Sequence, residues 1–373
     1  MRSFPSRLRP GWSAVALFLS LVSLVCVPAA SYAAERPHAH DERVAHASPV
    51  PESTPFPTSG LPVGEVPTIP YAFASKPEFG AGNWRLVRPD GTSLKLPRLT
   101  WSAWAPMGDG ALGMAGTEAG PELQRVSADG TVRSRMVQHF GLEVSPDHEI
   151  VGWLGDRGRP QVVEGGGTRH LALPQLKRGK GLDAIWGEQT CQEQDPEGDG
   201  CTAFVHRGRH VWASTSHGLV DRVGQLLRVA DVNQRGRVIG LVSRHTAHRP
   251  DCWGVFGPNG HRVFKTCRYY LHAWSPDGHR VLAERSTTRW WSVRRLAILG
   301  RDGHVVHAWR VDASRHRNLT QLTWEDSRHL LGVLMAHGEW GLVRIGTDGS
   351  VEYAGPTVPV TDEELTPFSL PVR

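Results

Sequence analysis

Apolar positions in this chain come in short runs, each closed by glycine, proline, aspartate or asparagine. Runs of that length between turn residues predict strands rather than helices. The clearest case is residues 274–283, WSPDGHRVLA. Pro276 presets its backbone angle, Asp277-Gly278 supplies a turn with a residue that tolerates positive φ, and Val281-Leu282 starts the returning strand. A second hairpin, residues 295–309 (RLAILGRDGHVVHAW), turns at Asp302-Gly303. Two hairpins in series predict a four-stranded antiparallel meander, the unit of a β-propeller blade.

Weaker copies recur along the chain. The second-hairpin turns align at Gly91, Gly130, Gly166, Gly208, Gly260, Gly303 and Gly349, in steps of 39, 36, 42, 52, 43 and 46 residues. First-hairpin turns interleave at Gly108-Asp109-Gly110, Pro146-Asp147, Arg235-Gly236, Asp277-Gly278 and Asp326-Ser327. This period, with two hairpins in each, predicts an all-β propeller of about seven blades, with six or eight as alternatives. Trp104, Trp274 and Trp324 each precede a first-hairpin turn, and Trp153 and Trp186 fall in strands; packing between blades is expected of them. The first unit, from Tyr71, is one strand short, and Phe368-Ser369-Leu370 is expected to complete it.

Composition agrees: 41 Gly and 27 Pro in 373 residues favour a turn-rich repeat protein. Residues 1–33 have the layout of a secretory signal: Arg2, Arg7 and Arg9, an apolar stretch at 14–27, and Ser31-Tyr32-Ala33 for cleavage. Cys26 follows Leu24-Val25, which does not suit lipid attachment. Residues 34–69 carry seven prolines among Ser, Thr and His, and are expected to be a flexible linker ahead of a propeller at 70–373. Losing three arginines with the signal takes the formal charge from +5 to 5 − 3 = +2. A secreted protein with so small a balance is not expected to bind nucleic acid, nor to span a membrane once cleaved. A monomer is expected.

The run WSPDGHRVLAE resembles the repeat of TolB-like and WD40-like (PD40-type) bacterial propellers, with VSPDHEIVGW and WEDSRHLLGVL as degraded copies. With its leader and Pro-rich lead-in, the chain is similar to secreted propellers of high-GC Gram-positive bacteria. The resemblance implies the fold and no particular activity. The chain departs from eukaryotic WD40 repeats in lacking a regular Gly-His and Trp-Asp pair in each unit.

Four cysteines remain after the signal: Cys191, Cys201, Cys252 and Cys267. An even number in a secreted chain predicts disulfides. Three pairings exist, and the local ones, Cys191–Cys201 around an acidic insertion and Cys252–Cys267 across the hairpin at Asn259-Gly260, are preferred.

Catalytic signatures are sparse. The chain has no G-x-S-x-G elbow, no H-E-x-x-H and no P-loop, and no cofactor or metal is expected. The acids Glu193, Asp195, Glu197 and Asp199 lack the order of an EF-hand loop. His38, His40 and His46 in the lead-in have no Cys or carboxylate cluster to complete a metal site. His206, His210, His217, His272, His304, His307 and His316 would matter only if several met in the central channel. The segment Arg289, Trp290, Trp291, Arg294 joins the two hairpins of one blade and has the composition of a binding hot spot. Two functions follow. One is a secreted, non-enzymatic module binding a protein or cell-wall polymer; the other is a hydrolase or lyase with its site at the channel mouth. Ionisable groups clustered in the channel would favour the enzyme, and an Arg/Trp-lined face the binder.

Overall fold

A computed structural model describes residues 53–75, 83–96, 101–137, 139, 141–164, 169–177, 179–187, 191, 200–244, 250–285, 293–312, 317–361 and 366–372. The signal at 1–33, His38, His40, His46, Gly166, the acidic residues 193–199, Arg289, Trp290, Trp291 and His316 lie outside them.

The repeat signature sets the local structure. In residues 275–280, Ser275 Oγ donates to Asp277 Oδ1 (2.5 Å), which also accepts from His279 N (3.0 Å), and Arg280 N donates back to Ser275 Oγ (2.9 Å). Gly278 sits at φ 67°. The degraded copy at Ser145-Pro146-Asp147 rebuilds the same lattice through Asp147 and Ile150, with His148 at φ 64° in the glycine position. Second-hairpin turns use a simpler device: the aspartate before the glycine accepts from the N–H two residues on, as Asp90 does from Thr92, Asp129 from Thr131 and Asp348 from Ser350. Asx turns of this kind explain why a D-G pair recurs at each reversal.

Seven antiparallel sheets result. Blade 1 has the order Phe368–Ser369, Tyr71–Ala74, Trp84–Val87, Ser93–Lys95, so the C-terminal segment is its innermost strand. Ala72 pairs with Ser369 and Phe73 with Phe368, as the sequence predicts. The inner strands of blades 2 to 7 are Trp101–Met107, Leu142–Val144, Gly181–Gly187, Arg228–Val232, Tyr270–Trp274 and Arg317–Trp324. Seven apolar clusters each draw on two neighbouring blades. One joins Leu331, Val333 and Trp340 of blade 7 to Phe368 and Leu370 of blade 1, which closes the ring. Trp104, Trp153, Trp274 and Trp324 are fully buried in these clusters, as expected of inter-blade packing.

Blade 4 departs from the expected register. Gly208 turns between its second and third strands, Cys201–Arg207 and His210–Thr215, and the second-hairpin turn is at Gly218. The disulfide-bridged acidic insertion follows the inner strand and displaces the alignment. Both local disulfides form, Cys191–Cys201 and Cys252–Cys267. Disulfides belong to an oxidising environment such as the cell exterior. Among the described residues no helix is long and apolar enough to cross a membrane.

The end of the Pro-rich lead-in has partners that its composition did not announce. Thr54–Pro55 pairs in parallel with the outermost strand of blade 6, Val305–Arg310. Phe56 is buried against Trp309 and Val311. Gly64 N and Tyr353 N then exchange bonds with Tyr353 O and Pro62 O on the outer strand of blade 7. Residues 53–69 thus strap the last two blades before the chain enters blade 1.

A G-x-G-x-x-G spacing does occur, at Gly108, Gly110 and Gly113, but it lies in the first hairpin of blade 2. A Cβ at Gly110 would strike the carbonyl oxygen of Val126 and one at Gly113 the Trp101 ring, so these glycines serve close packing.

Candidate functional site

The inner strands of all seven blades line a central cavity of about 610 Å³. Ladder irregularities recur in five of them, between Trp101/Ala103, Leu182/Ala184, Val229/Asp231, Leu271/Ala273 and Thr320/Thr323. An irregularity of this kind bends the strand and re-aims one side chain. In blade 4 the residue so displaced is Asp183; in blade 5 it is Ala230, and Asp231 follows it, paired with Ile239.

Both carboxylates are committed to the next blade. Asp183 Oδ2 accepts from Val229 N (3.1 Å), and Asp231 Oδ2 accepts from Trp274 N (2.7 Å) while its Oδ1 accepts from Val232 N (2.7 Å). Gln321, held at φ 49°, does the same with an amide: Nε2 donates to Phe368 O (3.2 Å) and Oε1 accepts from Leu370 N (3.0 Å). Asp183, Asp231 and Gln321 therefore each join one inner strand to the next, with different side-chain chemistry.

Asp183 also holds two side chains. Its Oδ1 lies 2.7 Å from His206 Nδ1 and 3.2 Å from Arg228 Nε, and Arg228 Nη1 lies 2.9 Å from His206 Nε2. A guanidinium only donates, so His206 accepts at Nε2 and donates from Nδ1 to Asp183. Both imidazole nitrogens are occupied. In blade 6, His272 Nε2 is 2.8 Å from Glu284 Oε1, and Tyr270 packs between Trp253 and His272 with ring centroids 4.3 Å from each.

The Glu143 carboxyl and the Tyr270 hydroxyl also line the channel. Burial, reinforced by the negative charges of Asp183 and Asp231, pushes the Glu143 carboxyl well above the usual carboxylate range, and Arg228 opposes that only in part. The Tyr270 hydroxyl is pushed up to about 12, first by burial and then by Glu284. The channel thus offers a carboxyl held well above the usual carboxylate range, a phenol held at about 12 and the half-exposed Arg228 to whatever enters.

The channel residues named in the inner strands lie mostly near strand starts, so the cavity opens toward the face where chains enter the blades. In an antiparallel blade, the loops joining second and third strands share that face. Arg294 lies there, exposed, immediately before the third strand of blade 6, and its carbonyl accepts from Val311 N (2.9 Å). It does not line the channel, and the other three residues of its proposed hot spot lie outside the described residues. Among the described residues the histidines do not converge. His272 lines the channel and His206 touches it only through Asp183, whereas His304 pairs with Asp302 at a turn and His307 packs on Trp309 at the rim. Among the described residues no three His, Cys, Asp or Glu side chains are placed to hold a metal.

Glu143, Asp183, Arg228, Asp231 and Tyr270 were not singled out by the sequence reading. The available signal was an acid inside an otherwise apolar strand, as in GLDAIWG and RVADV.

No protein-family model matches the chain, and no curated protein does. Solved propellers resemble it in shape. KlHsv2 with loop 6CD replaced by a Gly-Ser linker gives a TM-score of 0.45 at 10% identity, over 73% of this chain and 91% of that one. Hsv2 of Kluyvelomyces marxianus gives 0.43 at 10%, over 73% and 92%. YCF48 bound to D1 peptide gives 0.45 at 11%, over 79% and 87%. Nothing about ligand or partner follows from likenesses of this size.

Proposed function

We propose that this protein is a secreted, non-enzymatic binding propeller that presents the channel-entry face to a protein or cell-wall polymer. One observation carries the choice over catalysis. Asp183, which lines the channel, and the buried Asp231 of the next inner strand are consumed in backbone bonds between blades, and the Asp183–His206 pair is closed off at its far nitrogen by Arg228. A hydrolase needs a free base or nucleophile beside its acid, within hydrogen-bond reach. Glu143 stands as an acid without that second group, so it suits a hydrogen bond to a ligand. The signal-like residues 1–33 support export, and the repeat WSPDGHRVLAE supports kinship with TolB-like propellers. Arg289, Trp290, Trp291 and Arg294 remain part of the proposed surface.

The test is a pull-down of a cell-wall fraction and of culture proteins with the chain lacking residues 1–33, repeated with Glu143→Gln/Tyr270→Phe and with Trp290→Ala/Trp291→Ala. Binding lost in either folded variant, without release of soluble fragments, supports the reading. Turnover of wall material that stops in Glu143→Gln would replace it with the enzyme.

A further inference from the structure

A second built site lies on the same face, away from the channel. Strand Val132–Met136 is the outermost of blade 2 and every residue in it is exposed. Strand alternation puts Arg133 and Arg135 on one side, and Arg135 identifies it as the side toward blade 3, since its guanidinium carbon lies 4.4 Å from the Trp153 ring centroid. Arg125 stands directly opposite Arg133 in the ladder. Trp153 is packed in turn against His170, 5.5 Å away and 9° from parallel.

The opposite wall is the turn between the second and third strands of blade 3. Gly155 N bonds to Arg159 O (2.8 Å), Leu176 N to Gly158 O (3.2 Å), and Gln175 Nε2 to Arg157 O (2.7 Å). Gly158 has φ 76°, and a Cβ there would strike the Leu176 carbonyl, so the turn is pinned against the loop that leaves the blade. Arg157, at φ 56°, and Arg159 project from this fixed turn and are exposed. The cleft between the walls holds about 500 Å³ and is lined by Arg135, Arg157 and Arg159, with Asp156 as the one acid in the lining.

We propose that this cleft binds oxyanion groups carried on a flexible, non-nucleic polymer. The guanidinium fork fits phosphate and carboxylate oxygens alike. A row that runs from Arg133 through Arg135 to Arg157 and Arg159 is longer than one small anion, and neighbours two apart on a strand are roughly 6.6 Å apart, which suits successive charges on a chain. Trp153 already carries His170 and Arg135, so it offers little open ring to a nucleic-acid base. The inference rests on the binding reading above and names the ligand chemistry for part of that face.

Binding of fluorescent poly(glycerol phosphate) and of polygalacturonate, each at fixed ionic strength, tests it. Single-stranded DNA of matched charge is the comparison probe. At least one of the first two polymers is expected to bind the chain lacking residues 1–33 with strong salt dependence. Arg135→Gln/Arg157→Gln should weaken it roughly tenfold or more, as for two lost charge-assisted contacts, with an unchanged melting temperature. Arg157→Gln/Arg159→Gln repeats the test without touching the Trp153 contact. Which polymer prefers the cleft separates phosphate from carboxylate. Equal binding by both double variants and the unaltered protein, no binding of either polymer, or DNA binding as tightly, would overturn the proposal. If the channel variants lose wall binding while the cleft variants keep it, this inference fails and the binding function stands.

Discussion

Arg344 meets Glu325 in a two-pronged ion pair, Nε to Oε2 at 2.7 Å and Nη2 to Oε1 at 2.8 Å, with the Glu325 side chain closed to solvent. The remaining guanidinium protons reach Glu352 Oε1 (2.7 Å), Glu65 O (3.1 Å) and Val66 O (3.1 Å). All five donors are therefore used, two of them on the backbone of the N-terminal strap. Thr68 N completes the junction by donating to Glu325 Oε1 (2.7 Å). The hydrogen bonds from Glu325 hold the Arg344 pKa above its already high ordinary value, against the effect of burial. Arg344→Met would leave Glu325 buried and unpaired and is expected to cost about 3–5 kcal/mol in urea unfolding. Replacing both residues, as Arg344→Met/Glu325→Leu, should recover much of that loss. A single variant as stable as the parent would show that the strap is not clamped here.

The opposite terminus closes the ring from inside. Phe368 and Leu370 are buried between blades 7 and 1, and Trp104 Nε1 donates to Ser369 Oγ (3.1 Å). A chain ending at residue 361 loses the inner strand of blade 1 and is expected to melt at a sharply lower temperature. Phe368→Ala alone should cost about 3–5 kcal/mol, since it removes a large side chain from a closed cluster. Differential scanning calorimetry measures both, and an unchanged melting temperature for the truncated chain would exclude closure by this strand.

The turns and their packing were legible because each is local. Ser-Pro-Asp and Asp-Gly specify their own hydrogen bonds within six residues, and Trp104, Trp274 and Trp324 mark the buried strand ends. Gly208 misled because H-R-G-R-H looks like a second-hairpin turn, and only pairing to His210–Thr215 shows it one strand too early. The channel was not legible: Glu143, Asp183, Arg228 and Tyr270 come from four different blades, and no linear spacing records that closure brings them together. Nor was the strap, whose partners are backbone atoms and an arginine nearly three hundred residues later.

The disulfides give a direct chemical test. The chain lacking residues 1–33 should show no thiol that reacts with an aromatic disulfide reagent unless reduced, since its four cysteines are paired. Replacing Cys191 and Cys201 together by serine should cost about 2–4 kcal/mol by freeing the unfolded chain, and the Cys252/Cys267 pair a similar amount. Four reactive thiols in the untreated protein would refute both bridges.

Glu143 ties stability to pH in the direction opposite to a surface carboxylate. Its folded pKa is raised well above the ordinary 4.5 by burial and by Asp183 and Asp231. Between that ordinary value and the folded value, the native state keeps a proton that the unfolded state has released. The unfolded state then binds fewer protons, so this residue's contribution to stability falls as pH rises through the window. Below about pH 4.5 both states are protonated and the contribution is complete. Glu143→Gln, which mimics the protonated acid at every pH, should therefore match the parent at pH 4 and exceed its stability at pH 8. The turn aspartates Asp90, Asp129 and Asp348, whose pKa values are lowered by their hydrogen bonds, act in the reverse sense but equally in both proteins, so they cancel in the difference. Paired urea titrations of the two proteins from pH 4 to pH 8 measure that difference alone. A gap that is flat with pH, or that favours the parent at pH 8, would mean that Glu143 is ionised in the folded channel, and Arg228 would then have to be its counter-ion.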